Sequence, residues 1–242
     1  ARKHVIVEKP AVSWPEEWQE LVKLAAEHQV YIFEAARNYH EAAFAVIQDF
    51  LKDKKIWGAN FTYAKYSSKM GALLSGQEPN VFSAKFSGGA LMDLGVYTLY
   101  AAVRLFGAPQ NTRYIAQQLP NGVDLNGSGS LIYPDFQVRI QAGKNIHSQL
   151  PAEIYTDQGT LTLDGIEFIR SAIFQKFNGE TESLAIRQAE HQMLEEAQAF
   201  ARVLKGGQEE LYSDYLQAAA TVHECMFAMR KDAGIRFEVD HD

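Results

Sequence analysis

The sequence is poor in cysteine, in basic residues and in long hydrophobic runs. A single cysteine, Cys225, excludes an intramolecular disulfide and is typical of a reducing compartment. The 30 acidic residues outnumber the 23 basic ones, so the net charge of -7 favours neither nucleic acid nor an anionic membrane as partner. No apolar run approaches about 18 residues, and no signal-peptide pattern opens the chain. We therefore expect a cytoplasmic protein with no membrane or nucleic-acid partner.

Two chemical signatures are also missing. The seven histidines show no His-x-x-x-His spacing, and Cys-x-x-Cys does not occur, so we predict no metal site. A Gly-x-Ser-x-Gly elbow is absent as well, which gives no support for a serine nucleophile. The chemistry must therefore be sought among lysine, tyrosine and carboxylate side chains.

The first 37 residues read as strand, helix, strand. "HVIV" (4–7) is a strand, Ser13 and Glu16 form a capping box that starts a helix, and "VYIFEAAR" (30–37) is a second buried strand. This order is typical of a βαβ unit in a parallel sheet. We take residues 1–37 as a piece of such a sheet.

The remaining residues, 38–242, predict an α+β domain with a mainly antiparallel open sheet. Turn dipeptides such as Asp-Gly separate successive β-type runs, which indicates an antiparallel meander. The predicted elements are helices at 40–53, 89–107, 183–205 and 212–233, a strand at 56–68, a long loop at 69–89 and the meander at 111–178.

Three titratable residues stand out by position. Lys9 follows the first strand, and ligands of open α/β sheets bind beyond strand ends. Asp93 and Tyr97 are four residues apart, so they share one face of the 89–107 helix. Each also has an ordinary explanation: Lys9 as a solvated strand-end lysine, Asp93 as a first-turn carboxylate favoured by the helix dipole, and Tyr97 as a core residue.

Three segments resemble the Gfo/Idh/MocA oxidoreductases. They are "EKP" (8–10), "SGGALMDLGVYTLY" (87–100) and "HQMLEEAQAFARVLKGG" (191–207), and they keep the family's order and spacing over nearly the whole chain. The resemblance implies an N-terminal Rossmann domain that binds NAD or NADP, followed by an open-sheet domain with helices on one face. It also implies a homodimer or higher homo-oligomer formed through that sheet.

The resemblance assigns roles to individual residues. Lys9 matches the lysine beside the nicotinamide and the reacting carbon, and Asp93 matches the substrate-side aspartate. Tyr97 stands where the sugar and dihydrodiol branches carry tyrosine, which favours a carbohydrate, polyol or diol substrate. We expect Tyr97 to be the acid/base, Lys9 its activator and Asp93 the group that orients substrate hydroxyls. The remaining expected residues are Glu8, Pro10 and Arg37 at the cofactor and Lys65 and Tyr66 at the substrate.

The Gly-x-Gly-x-x-Gly turn that binds the pyrophosphate of a dinucleotide does not occur in the chain. "GSGS" (127–130) lies between strands, and no helix follows it. We therefore interpret the chain as a fragment that starts inside the Rossmann domain, and we expect it to bind dinucleotide weakly and to be inactive as given.

Two other functions stay open at this stage. One is a non-enzymatic binding module whose sheet face exposes Ile115, Leu131, Ile140 and Ile154 to a partner. The other is a lyase that uses Lys9 as a Schiff-base nucleophile. The sequence determines neither the substrate, nor the choice between NAD and NADP, nor the oligomeric state.

Overall fold

A computed structural model describes residues 2–240 of the chain. Ala1, the first residue of the predicted 1–37 unit, and the histidine at 241 lie outside the described residues. The helices are α1 (Pro15–Glu27), α2 (Ala42–Leu51), α3 (Met70–Leu74), α4 (Val96–Phe106), α5 (Leu194–Leu204) and α6 (Glu209–Ala233). The strands are β1 (Val5–Glu8), β2 (Ile32–Ala35), β3 (Ile56–Ala64), β4 (Asn111–Gln118), β5 (Asp124–Ile132), β6 (Gln137–Gly143), β7 (Ala152–Thr156), β8 (Gly159–Leu163), β9 (Ala172–Lys176) and β10 (Thr181–Ser183).

The strand, helix, strand unit at the start of the chain forms as predicted. β1 and β2 pair in parallel, from Val5 opposite Ile32 onwards, and α1 connects them. The predicted cap is displaced by one residue: Trp14 is the N-cap residue, and Glu17 accepts the main-chain N–H groups of Ser13 and Trp14 at 2.9 and 3.0 Å. Glu16 therefore does not close the capping box, because Pro15 takes the first helical position.

The second sheet is mainly antiparallel, which confirms the predicted fold class. Within the described residues its strand order is β10-β9-β8-β7-β3-β6-β5-β4. β3 lies between β7 and β6 and pairs in parallel with β6, so the prediction of a simple meander is wrong at this point. A local pattern of turns predicts hairpins, but it cannot predict that an earlier strand enters between two later ones.

Side chains on this sheet alternate between a buried inner face and an open outer face. Leu131, Ile140 and Ile154 are buried in the core under α4 and α6, whereas Ile115 is 80% exposed. The prediction that Ile115, Leu131, Ile140 and Ile154 share one exposed sheet face is therefore wrong for the last three. Successive side chains of a strand point to opposite faces, and these three point to the face opposite Ile115. The outer face is lined mostly by polar residues of β4, β5 and β6.

Two predicted segments differ in extent. The helix expected from 183 begins only at Leu194, because residues 181–183 pair with β9 as an edge strand. The predicted loop at 69–89 contains α3 and two short 3-10 turns, Asn80–Phe82 and Ala84–Phe86. α6 ends at Gly234, whose φ of 70° is the left-handed conformation that favours glycine.

The stretch from Ala84 to Phe106 is long and apolar enough to cross a membrane by length and composition alone. In its most apolar window, however, 72% of the residues are buried inside the protein. The core therefore accounts for its apolar character.

The first 37 residues dock onto α6 through buried polar contacts. His223 Nε2 and Glu34 Oε2 lie 2.6 Å apart, and both side chains are 2% exposed. The indole N–H of Trp18 donates to the carbonyl of Leu216 at 3.2 Å, and Arg230 Nη2 donates to the carbonyl of Ser13 at 2.8 Å. These contacts fix the carboxyl end of β1 relative to the larger sheet.

The carboxyl group of Glu41 is buried where α2 begins. Its Oε2 accepts the main-chain N–H of Ile169 at 2.9 Å, and Oε1 has no hydrogen-bond partner among the described residues. Burial raises the pKa of Glu41 to about 8, against the opposing effects of the Ile169 N–H and the charge of Arg37. The folded chain thus holds a proton there that the unfolded chain loses near pH 4.5.

We predict that this proton makes stability fall as pH rises from about 4.5 to 8, because the unfolded state then binds fewer protons than the folded state. Glu41→Gln keeps an acceptor for Ile169 and removes the ionisable group. Urea unfolding should find it more stable than the wild type by roughly 4 kcal/mol at pH 8 and equal to it at pH 4. The exposed Glu20→Gln is the control, and a Glu41→Gln curve parallel to the wild type at all pH values would refute the assignment.

Candidate functional site

The helix that carries Asp93 and Tyr97 begins with an irregular turn. Residues Leu91–Gly95 form a π-helical turn, and α4 continues from it. Asp124 Oδ2 accepts the main-chain N–H of Leu91 at 2.8 Å and the hydroxyl of Tyr114 at 2.9 Å, so a buried carboxylate caps the helix start. A Cβ at Gly89 would lie 2.0 Å from Asp124 Oδ1, and therefore only glycine fits there.

Lys9 joins the end of β1 to this turn. Its Nζ donates to the main-chain oxygen of Asp93 at 2.7 Å and to Asp93 Oδ1 at 3.0 Å. The Lys9 side chain is 13% exposed and that of Asp93 is 39% exposed, so Lys9 is mostly covered while Asp93 stays partly accessible to solvent. Two residues 84 positions apart in the sequence therefore meet.

Tyr97 lies beside Lys9 and is faced by two cations. Lys9 Nζ is 4.7 Å from the centroid of the Tyr97 ring, and the guanidinium carbon of Arg37 is 5.3 Å from it. Arg37 is fixed by a hydrogen bond from Nη1 to the carbonyl of Glu167 at 2.7 Å. Tyr63 contacts the Tyr97 ring edge to face, with centroids 5.3 Å apart.

Tyr63 and Tyr97 are the two phenols at this position. Burial, followed by the charge of Glu167, raises the pKa of Tyr63 to about 12, and the charges of Tyr97 and Asp93 act in the same direction. Tyr63 therefore keeps its proton at neutral pH.

Lys144 is a site residue that the sequence reasoning missed. It follows β6, its side chain is 5% exposed, and its Nζ donates to Asp93 Oδ2. A lysine directly after a strand is common, and nothing in the local sequence marks this one as buried. Only the pairing of β6 with β3 and β5 brings it beneath Asp93.

The two lysine partners of Asp93 favour the ionised form of its carboxyl group. Burial acts to raise the pKa of its carboxyl group, but the ammonium groups of Lys9 and Lys144, with their hydrogen bonds, outweigh that effect and lower the pKa below its ordinary value. Each carboxylate oxygen accepts one ammonium hydrogen bond and retains a lone pair. Since the side chain is partly exposed, that lone pair can accept a ligand hydroxyl.

The other four predicted residues lie at strand ends and differ in burial. Glu8 is exposed at the end of β1, and Pro10 is half-buried beside Lys9. Lys65 and Tyr66 are exposed just beyond β3, where the main-chain N–H of Lys65 bonds to the carbonyl of Gly143. In the described part of the chain, none of these four side chains forms a hydrogen bond with Lys9, Asp93 or Tyr97.

The assembled groups suit proton transfer and hydroxyl recognition. Two ammonium groups and a guanidinium surround one phenol and one carboxylate, and the described residues bring together no group of three or more metal-ligating side chains. Such a set can polarise a substrate oxygen, exchange its proton and orient neighbouring hydroxyl groups.

Comparison with known proteins was made at the level of domain, sequence and fold. A model of the GFO/IDH/MocA C-terminal domain matches residues 55–162. The NADP(+)-dependent scyllo-inositol 2-dehydrogenase IolU of Bacillus subtilis is 32% identical over 239 residues, which cover 98% of this chain and 73% of that protein. The uncharacterized oxidoreductase YgjR of Escherichia coli is also 32% identical, over 98% of this chain and 72% of its own length.

Solved structures agree with the sequence relationship. The 3-ketoreductase KijD10 of Actinomadura kijaniata, in complex with TDP-benzene and NADP, superimposes with a TM-score of 0.75 at 19% identity, covering 95% of this chain and 70% of that one. At this identity the match shows the fold alone. The family is shown by the sequence: IolU is 32% identical over nearly all of this chain, and the GFO/IDH/MocA domain model matches part of it. This protein therefore belongs to the GFO/IDH/MocA family of NAD(P)-dependent oxidoreductases.

Proposed function

We propose that the chain carries the substrate site of a dehydrogenase that exchanges a hydride between NAD(P) and a secondary alcohol or ketone of a sugar, polyol or diol. The observation that carries the proposal is the position of Lys9, bonded to Asp93 and 4.7 Å from the centre of the Tyr97 ring. The names of IolU, an inositol dehydrogenase, and of KijD10, a ketoreductase, support a polyol or sugar substrate.

The residues divide the work at the reacting oxygen. Tyr97 takes the hydroxyl proton in oxidation and returns it in reduction, while the cations of Lys9 and Arg37 stabilise the negative charge of its phenolate. The Lys9 ammonium also polarises the substrate oxygen as the carbonyl forms. Asp93 accepts a hydrogen bond from a second hydroxyl of the substrate, which favours substrates with vicinal hydroxyl groups.

The residues at the carboxyl ends of β1 and β2 fit the nicotinamide end of the cofactor. Glu8, Lys9, Pro10 and Arg37 lie beyond these parallel strands, where ligands of such sheets bind. NAD(P), when bound, supplies the hydride acceptor or donor. A nicotinamide cofactor fits the predicted cytoplasmic location, and the choice between NAD and NADP stays open.

We propose that residues 1–37 belong to the dinucleotide-binding part of the enzyme and 38–242 to the substrate part. β1 is paired only with β2 in the described chain, and its Val5 and Ile6 are 44% and 59% exposed. A parallel strand with both faces uncovered is unusual, because parallel sheets are buried on both sides. The exposed edge of β1 is therefore suited to continue a larger parallel sheet.

We propose further that the outer face of the large sheet binds a second copy of the chain. Ile115 is 80% exposed there, with Ile173 and Tyr155 also exposed on the same face. Ser128 and Gln141 lie opposite Ile115 across the neighbouring strands and offer hydrogen bonds around it. An enzyme can also form such an interface between two copies. The exposed residues of this face therefore do not favour a non-enzymatic binding module over an enzyme.

The contacts of Lys9 argue against a Schiff-base lyase. A Schiff-base nucleophile is a neutral amine, whereas Lys9 Nζ donates two hydrogen bonds to Asp93 as an ammonium does. Borohydride trapping of a carbonyl ligand on Lys9 would restore that alternative.

Tyr97→Phe tests the acid/base role. We expect it to lower kcat/KM of the complete gene product, assayed with polyols and both nicotinamide cofactors, by about 100-fold or more, since general acid–base catalysis contributes at least that factor. Tyr155→Phe removes a phenol on the outer sheet face and should leave kcat/KM unchanged. Near-native turnover by Tyr97→Phe would sink the assignment.

Hydrogen exchange tests the division into two parts. In the complete gene product, NADP+ should slow exchange of main-chain amides at 5–9 and 35–37 by about tenfold or more, because the cofactor covers the ends of β1 and β2. Amides of β4 should stay unchanged. Equal protection of both regions, or of β4 alone, would contradict the proposed location of the cofactor.

Ile115→Glu tests the second copy. Placing a charge at the centre of an interface should weaken self-association in analytical ultracentrifugation by about tenfold or more. Leu74→Glu changes a 74% exposed residue on α3, away from the sheet, and should have no effect. A wild-type chain that stays monomeric at high micromolar concentration would remove this proposal and leave the enzymatic one intact.

A further inference from the structure

The main chain of Lys144 is held by hydrogen bonds at both its N–H and its carbonyl group. Its main-chain N–H donates to the carbonyl of Leu125 at 2.7 Å, and its carbonyl accepts the N–H of Ser67 at 2.8 Å. The residue is therefore fixed between the segments that follow β3 and begin β5. Its side chain then runs inward until only 5% of it is exposed.

The ammonium of Lys144 has one anionic partner in the described structure. Asp93 Oδ2 accepts from it, and the ring of the fully buried Phe82 lies 5.9 Å from Nζ. A buried ammonium without an anionic partner is strongly unfavourable, and Lys144 is the buried member of this pair. The contact between Lys144 and Asp93 is thus strongly favoured over either group alone.

The acceptor oxygens of Asp93 bond to two different lysines. Oδ2 faces Lys144, while Oδ1 and the main-chain oxygen face Lys9. With Oδ2 bound, rotation of the carboxylate away from Lys9 would break the bond to Lys144. The bond to Lys144 therefore fixes the direction in which Oδ1 points. The position of the Lys9 ammonium beside Tyr97 thus depends on Lys144, whose side chain is only 5% exposed.

We propose that Lys144 is a positioning residue of the reaction, which holds the Asp93 carboxylate so that Lys9 stays beside Tyr97. This inference rests on the proposed function. It assigns Lys144 no contact with substrate, because its ammonium lies beneath Asp93 and is almost fully covered.

Other charges also face this cluster. Lys9 and Arg37 both face the Tyr97 ring. Tyr63 from β3 contacts that ring, Glu167 accepts a hydrogen bond from Arg37, and both Glu167 and Asp93 oppose ionisation of Tyr63. None of them donates a hydrogen bond to Asp93 in the described chain. Loss of Lys144 would therefore leave Lys9 as the one ammonium bonded to Asp93.

The titration of Asp93, followed by carbon-13 NMR of labelled carboxyl groups, tests the inference without any turnover. In Lys144→Met the midpoint of Asp93 should rise by about one pH unit, because one of two neighbouring cations is lost. Lys144→Arg should restore most of the wild-type midpoint. Lys54→Met removes another well-covered lysine paired with an aspartate, at 2.9 Å from Asp53, and should leave Asp93 unchanged.

A measurement on the wild type covers the case in which Lys144→Met does not fold. The nitrogen-15 signals of the Lys9 and Lys144 ammonium groups should both move at the Asp93 midpoint when the pH is lowered. A Lys144 signal that does not follow this midpoint, or a folded Lys144→Met with an unchanged Asp93 titration, would overturn the inference.

Kinetics separate this inference from the proposed function. In the complete gene product, Lys144→Met should lower kcat at least tenfold with little change in the KM for NAD(P), and Lys144→Arg should recover much of the loss. If no polyol or sugar is turned over, the proposed function fails while the NMR result still decides the role of Lys144. If the NMR result is negative and Tyr97→Phe is inactive, the proposed function stands without Lys144.

Discussion

The contact between Lys9 and Asp93 connects the two halves of this chain at the site. Lys9 directly follows a strand of the small parallel sheet, and Asp93 lies in the π-helical turn that leads into α4, which packs on the large sheet. The ion pair forms only if the first 37 residues sit correctly on α6, which the buried contact of Glu34 with His223 secures. It also needs the helix start at its observed position, which the Asp124 carboxylate secures. Breaking such a partly covered pair leaves a charge without its partner, so the whole arrangement is interdependent.

Three carboxyl groups near the site show how partners decide ionisation. Burial opposes the charge on Asp93, Glu41 and Glu196 alike. Asp93 has two ammonium partners, and its pKa falls. Glu196 has the charge of Glu8 nearby, with only Arg37 opposing it, and its pKa rises to about 7. The carboxylate that bonds to Lys9 thus keeps its negative charge, while near neutral pH Glu41 is largely protonated and Glu196 about half protonated.

Local sequence predicted the elements better than their assembly. Strand and helix periodicity located β1, α1, β2 and α6. The spacing of Asp93 and Tyr97 put both on one helix face, whereas only the family resemblance associated them with Lys9, which lies beside both in the structure. Periodicity could not predict the entry of β3 between β7 and β6, because strand order depends on contacts between distant residues. The same limit explains why Lys144 was missed and why Leu131 was predicted to be exposed. In each case the decisive partner lies far away in the sequence.

The most direct test of the account is a crystal structure of the complete gene product with NADP+ and a bound polyol. The account predicts that the oxygen of the reacting carbon lies within hydrogen-bond distance of both Lys9 Nζ and Tyr97 Oη, and that a neighbouring hydroxyl donates to Asp93. A polyol bound on the outer face of the large sheet, or one whose reacting oxygen contacts neither Lys9 nor Tyr97, would contradict it.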